Sequence, residues 1–153
     1  MSMNLVVTPE EASAWLDGYK RAWEERDVDA ALSLFSEDAD YREVRFGPPL
    51  LRHKDIESYW RVQVCEFQRD PKFDYQLWGI SGNQAIATWQ ADFHWLPINS
   101  FIKIDGICKL VFSGRGPNGL VCSQFNEWFD YVETDSRASS TDIIRRNRPR
   151  GSE

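Results

Sequence analysis

The chain has little of what metal centres, disulfide frameworks and nucleotide-binding loops are built from. Its 153 residues include three cysteines, Cys65, Cys108 and Cys122, and two histidines, His53 and His94. Thiols that are odd in number, widely spaced and without a C-x-x-C pair build neither a disulfide scaffold nor a zinc cluster, and the histidines are not at ligand spacing. No metal and no cofactor is therefore expected, and a reducing, cytoplasmic setting is. There is no G-x-G-x-x-G, P-loop or G-x-S-x-G string; Gly114-Arg115-Gly116 reads as part of a hairpin turn. No apolar run approaches the length that crosses a bilayer, and the first seven residues lack a charged segment leading into one, so no membrane partner is expected. Positive charge is in deficit as well. With 18 Lys and Arg against 24 Asp and Glu, the net charge of −6 disfavours a phosphate-binding surface and hence a nucleic-acid partner. The run Arg145, Arg146, Arg148 and Arg150 reads as a solvated end.

What the chain has in excess is aromatic. Seven Trp, nine Phe and five Tyr make up 14% of it, more than a minimal core requires, and such residues line apolar pockets and subunit interfaces. The length suits one domain with a core that needs no covalent staples.

The N-terminal third carries helical signals. Thr8-Pro9-Glu10-Glu11 supplies a cap hydroxyl, a proline at the first helical position and a glutamate three residues after the cap. Ala12, Trp15, Leu16, Tyr19, Ala22 and Trp23 then recur at three- and four-residue spacing, which gives one apolar face. Asp27 caps a second short helix through Val28, Ala31, Leu32 and Phe35, which Ser36-Glu37-Asp38 is expected to end. A third helix is expected over 53–68, presenting Ile56, Tyr59, Trp60, Val64 and Phe67.

Beyond Asp70-Pro71 the period changes to two. Phe73, Tyr75 and Leu77 alternate with polar residues, Ser81-Gly82-Asn83 turns the chain, and 84–95 reads as a long strand. On the next strand Ile102, Ile104, Gly106, Cys108, Leu110 and Phe112 share the face expected to point inward. A turn over 113–119 leads to a last strand over 120–131. The expected domain is 8–132, followed by a polar, mobile tail over 133–153. Helices first and an antiparallel meander afterwards predict an α+β fold, a curved antiparallel sheet with three N-terminal helices on its concave face.

Several strings carry a resemblance. Residues 22–41 (AWEERDVDAALSLFSEDADY), 52–60 (RHKDIESYW), 105–112 (DGICKLVF) and 125–130 (FNEWFD) resemble the nuclear-transport-factor-2-like superfamily, and within it the SnoaL-like branch. The similarity runs over about 9–131. It implies a cone-shaped fold, a small hydrophobic or polyketide-like ligand, and a homodimer formed through the outer face of the sheet. It also implies either acid-base catalysis of isomerisation, cyclisation or hydrolysis, or plain ligand binding or dimerisation. Matched to steroid-isomerase-like members, Tyr19 falls on a hydrogen-bonding tyrosine, Glu43 on the carboxylate base, and Cys108 where they keep a protonated acid. Matched to limonene-epoxide-hydrolase-like members, Tyr41 agrees and Asp92 and Glu127 fall on acidic positions. Gln90 stands there in place of an arginine, and Glu43 in place of an asparagine.

The residues themselves leave alternatives. Alternation puts Tyr41 and Glu43 on one face of the first strand. A carboxylate desolvated among aromatics there gains a raised pKa suited to proton abstraction, whereas at a sheet edge it would pair with Arg42, Arg45 or Arg52 in solvent. Asp92 and His94 share a face with Thr88 and Gln90, and Trp89, Ala91, Phe93 and Trp95 form the other. With the polar face inside, Asp92 and His94 make an acid-base relay; with the aromatic face inside, they are surface residues. An outward aromatic face would need a partner subunit to cover it. Glu127 shares a face with Phe125 and Phe129 and is a desolvated acid if that face points inward. The candidate site is thus Glu43, Tyr41, Asp92 and Glu127 for chemistry. Its expected walls are Tyr19, Trp23, Tyr59, Trp60, Gln90, His94, Ile104, Cys108, Phe125 and Phe129.

Overall fold

The computed structural model describes residues 4–43, 46–134 and, by backbone, 143–146. Helix α1 (Pro9–Glu25) begins with the expected capping box: Thr8 Oγ1 accepts from the Glu11 amide, and the Glu11 carboxylate accepts from the Thr8 amide. Its buried stripe is Ala12, Trp15, Leu16, Tyr19, Ala22 and Trp23, and Arg26 closes it in the left-handed region at φ 52°. Asp27 caps α2 (Val28–Leu32) by accepting from the Ala30 amide.

Here the chain departs from expectation. Phe35 opens strand β1 (Phe35–Arg42), so Ser36, Glu37 and Asp38 lie in a strand. The short α2 ends where Leu34 and the ring of Phe35 are drawn into the core, a tertiary preference that overrides local helical period. Strand β2 (Leu50–Leu51) precedes α3 (Arg52–Tyr59), and the expected single helix continues as a π-helical segment, Trp60–Glu66. The Phe67 amide bonds the Val62 carbonyl five residues back at 3.1 Å, which widens the turn.

Four long strands follow: β3 (Gln68–Ser81), β4 (Gln84–Trp95), β5 (Ser100–Gly116) and β6 (Gly119–Thr134). The segment expected to turn over 113–119 remains in strand on both sides of Pro117-Asn118. With β7 (Ile143–Arg146) they form one sheet, ordered β2-β1-β6-β5-β4-β3, in which β7 pairs with the C-terminal end of β6. The pairs are antiparallel except β1 with β6, which is parallel and sets Tyr41 beside Phe125. The domain boundary expected at 132 falls inside β6, and 143–146 adds a strand to it. The remainder of the expected tail, 135–142 and 147–153, lies outside the described residues.

The result is an α+β cone: a curved, unclosed sheet with the three helices on its concave face. The alternating burial of β4 decides which face is inside, because Ala85, Ala87, Trp89, Ala91 and Phe93 are buried while Gln84, Ile86 and Gln90 are exposed. Gly106 is demanded by this packing. A Cβ there would lie 2.9 Å from the Trp89 indole and 2.7 Å from the Trp128 carbonyl oxygen, so only glycine lets the ring lie flat on β5.

Candidate functional site

Between α1, the helical segment over 52–66 and the inner faces of β4, β5 and β6 lies a cavity of about 290 Å³. Its size is just under the roughly 300 Å³ at which small-molecule sites begin. Trp23 and Tyr19 reach it from α1; Tyr59 comes from α3, and Trp60, Gln63 and Val64 from the widened π turn. The sheet contributes Trp89, Phe93 and Trp95, Ile102 and Ile104, and the alternating series Glu127, Phe129, Tyr131 and Glu133.

One end of this cavity is polar. Glu43 follows Ala39 and Tyr41 in the alternation of β1 and so turns inward one residue beyond the strand. Its Oε2 accepts a hydrogen bond from the Tyr59 hydroxyl. Burial raises the Glu43 pKa above the ordinary carboxyl value, and the bond from Tyr59 opposes part of that rise. Tyr19 Oη lies 3.2 Å from Tyr41 Oη and donates to Glu127 Oε1 at 3.4 Å. Loss of hydration raises the hydroxyl pKa of Tyr19, Tyr41 and Tyr59 well above that of free tyrosine, and nearby carboxylates push in the same direction. All three therefore stay protonated and serve as donors at neutral pH. The Trp23 indole N–H is satisfied by Gln68 Oε1 at 2.7 Å, whereas the buried Nε1 atoms of Trp60 and Trp89 have no acceptor among the described residues.

Of the residues expected at the site, Glu43, Tyr41, Glu127, Tyr19, Trp23, Tyr59, Trp60, Ile104 and Phe129 line the cavity. Phe125 and Cys108 lie one layer beneath it. Phe125 stacks on Tyr41 with centroids 4.7 Å apart, and Cys108 stands opposite Glu127 in register. Burial pushes the Cys108 thiol up to about 12, and the Glu127 charge adds to that, which leaves it a packing residue at neutral pH.

Asp92, Gln90 and His94 are on the other side of the sheet, which corrects their assignment to the cavity. Trp89, Phe93 and Trp95 bury more apolar surface than the polar set would, so the aromatic face is inside. Asp92 stands between Lys72 and Lys103 in register, Gln90 is exposed beside Asp105, and His94 bonds Asn99 Oδ1 at 2.7 Å and stacks on Phe101. The other histidine, His53, bonds the Phe35 carbonyl at 2.8 Å and holds the helical segment to β1. Val64, Trp89, Phe93, Trp95 and Ile102, expected only on apolar faces, also line the cavity, as do five residues given no place at the site: Gln63, Gln68, Ile98, Tyr131 and Glu133. The last two continue the period-two series from Phe125: Tyr131 ends the expected strand, and Glu133 joins it because β6 runs on to Thr134. Among the described residues no group of three His, Cys, Asp or Glu side chains is placed to hold a metal ion.

The sequence profile of the SnoaL-like domain matches residues 16–120, more than half of the chain. The chain belongs to the SnoaL-like domain family. No curated protein matches the sequence. Solved structures show the same fold at low identity. A proposed aromatic ring hydroxylase from Novosphingobium aromaticivorans matches at 17% identity and a TM-score of 0.68, over 82% of this chain and 92% of that one. A hexachlorocyclohexane dehydrochlorinase, type 2, matches at 10% identity and 0.68, over 93% of each chain. The epoxide hydrolase/cyclase-like enzyme SalBIII, of pyran ring formation in the polyether salinomycin, matches at 17% and 0.65, over 88% and 95%. In this SnoaL-like domain the cone is the fold shared with those structures, and Glu43, Tyr59, Tyr19, Tyr41 and Glu127 stand at the polar end of its cavity.

Proposed function

We propose that this SnoaL-like domain is a small enzyme that binds a hydrophobic, ring-sized or polyketide-like molecule in its cavity and moves a proton on it with Glu43. The observation that carries this reading is the inward Glu43 carboxylate, raised in pKa by burial and held by a tyrosine at the wall of an aromatic cavity. A carboxylate so placed is a stronger base than one in water and accepts a proton without reorganising solvent. Tyr41, Tyr19 and Glu127 form a second hydrogen-bonding group across the same space, from which a substrate oxygen that gains charge takes a donor by displacing one of these bonds. The same fold is found in a hexachlorocyclohexane dehydrochlorinase and in an epoxide hydrolase/cyclase-like enzyme, which is in keeping with an enzymatic reading of this cone. The test uses 5-nitrobenzisoxazole, whose C3 proton passes to a base as the N–O bond breaks and a coloured cyanophenolate forms. Saturable turnover that falls on the order of 10²-fold in Glu43→Gln is the expected result. Equal rates for the two proteins would clear Glu43 of the role.

The alternative, a binding module without chemistry, is favoured by one feature: Tyr59 already occupies the carboxylate that would act as base. Tight binding of an apolar probe, with no Glu43-dependent turnover, would select it.

We further propose that the outer face of the sheet pairs with a second copy. The motive is a different apolar set from the one the sequence suggested, since Trp89, Phe93 and Trp95 are inside. Trp78, Ile86, Ile107 and Trp128 stand exposed there, and Thr88, Ile107 and Trp128 align across β4, β5 and β6. The same face carries charges of both signs, Lys72, Asp92 and Lys103 beside Asp74, Asp105 and Asp130, which a two-fold axis can match to themselves. Light scattering at micromolar concentration should give a dimer, and Trp128→Lys a monomer. A monomeric parent protein would end this reading. The three free thiols, two of them buried, support placement in a reducing cytoplasm.

A further inference from the structure

We propose that the molecule held in the cavity carries a positively charged nitrogen, an alkylammonium group seated on the aromatic wall within the field of Glu43. This rests on the reading of the cavity as a small-molecule site and adds the charge of its occupant.

The first observation is the composition of the wall. Trp23 packs on Trp89 and Phe93 with centroids 5.9 and 6.4 Å apart, and Phe93 packs on Trp95 at 5.9 Å. A continuous indole and phenyl surface thus lines one side of a space of about 290 Å³. A cation within about 6 Å of such rings is attracted by their quadrupoles, most strongly by Trp, and the attraction grows when water is excluded. A neutral aliphatic group of the same shape gains little from tryptophan over leucine beyond area.

The second observation is the sign of the charge. Glu43, Glu127 and Glu133 line the cavity, and no lysine, arginine or histidine is among its described lining residues. Glu43 accepts from a tyrosine, which stabilises its charge without neutralising it. In β7, Arg145 stands opposite Glu133 in register, and Glu43 is a carboxylate at the polar end of the cavity. Desolvation makes the ionised form of Glu43 costly, as its raised pKa records. An organic cation would offset that cost, whereas an anionic ligand would increase it. Aromatic faces and a carboxylate with no cationic side chain among the described lining residues select, around one small space, a cation over a neutral molecule of equal shape.

Choline and its carbon isostere 3,3-dimethyl-1-butanol differ by that charge at nearly constant shape, and 2-naphthol is a neutral aromatic probe of the cavity itself. Binding is read by tryptophan fluorescence and calorimetry at about pH 7.5, where carboxylates of ordinary pKa are ionised. The expected result is choline binding at least tenfold tighter than the isostere. That ratio should shrink severalfold in Glu43→Gln, and in Trp95→Leu choline should lose more affinity than 2-naphthol. Because Trp95 is half-buried, the second variant keeps the test open if the first is poorly folded. Equal or tighter binding of the isostere while 2-naphthol binds would overturn the charge assignment and leave the cavity reading standing. Failure of all three probes at millimolar concentration would overturn both, and a choline preference unchanged in both variants would move the cation elsewhere on the protein.

Discussion

The same strands build two different interiors. Toward the closed end of the cone the inward residues are Ala85 and Ala87 on β4, Leu110 and Phe112 on β5, and Leu120 and Cys122 on β6, all at most 4% exposed. They pack against Trp15 and Phe35, whose rings meet edge-on at 5.6 Å. A few residues along, the inward positions become Trp89, Phe93 and Trp95, Ile102 and Ile104, and Glu127, Phe129 and Tyr131, and these surround space. Small and aliphatic side chains interdigitate and fill their end. Rigid rings standing off a curved sheet do not meet at the centre, and what they leave is a cavity whose polar end holds carboxylates. Close packing is concentrated at one end and the cavity lies at the other.

Substitutions should separate the two ends. The largest effect is expected from Leu110→Ala, which opens a void where nothing is exposed. It should cost about 2–5 kcal/mol in denaturant unfolding and leave the affinity of the cavity for 2-naphthol unchanged in whatever fraction is folded. Loss of affinity with little loss of stability would mean that the two ends are coupled. Next is Gly106→Ala, at the border between them. The new methyl meets the Trp89 ring and the Trp128 carbonyl. A cost of about 1–3 kcal/mol is expected, with altered fluorescence as Trp89 is pushed toward the cavity. An unchanged spectrum would show that the ring does not lie on β5.

At the open end the sign reverses. The folded-state pKa of Glu43 is raised above its unfolded value, so the protein binds more protons folded than unfolded between the two, and stability from this group is lost as pH rises through the folded pKa. Glu43→Gln should therefore melt at a higher temperature than the parent near about pH 7, and the difference should vanish below about pH 4. A variant less stable than the parent at both pH values would show that the ionised carboxylate stabilises the fold. The smallest effect is expected on the outer face: Gln90→Ala and His94→Gln should shift stability by no more than about 0.5 kcal/mol and leave cavity binding unchanged. A clear loss of binding in either would return the polar face of β4 to the site.

The sequence read well where one force acts alone. Capping and the apolar stripe of α1 sufficed, because Thr8, Glu11 and the positions from Ala12 to Trp23 all point to the same helix. The alternation of β4 and β6 was equally plain, but alternation does not say which face is inside. That was settled in three dimensions, by the helices and by the glycine that lets Trp89 lie flat, and it took Asp92, Gln90 and His94 out of the cavity. The start of β1 at Phe35 and the π turn at Trp60 were hidden for the same reason: long-range packing chose them over local period. Glu43 was found by alternation beside Tyr41. Its partner Tyr59 was read as a wall residue, and no spacing rule joins two residues that meet across a strand and a helix.

Titration of the glutamate side-chain carboxyl carbons by ¹³C NMR decides whether Glu43 is a desolvated acid inside the cavity. The expected result is a resonance, absent from Glu43→Gln, that titrates clearly above the free-glutamate value of about 4.3 and moves again when 2-naphthol occupies the cavity. A Glu43 resonance that titrates at or below that value and ignores the ligand would contradict it.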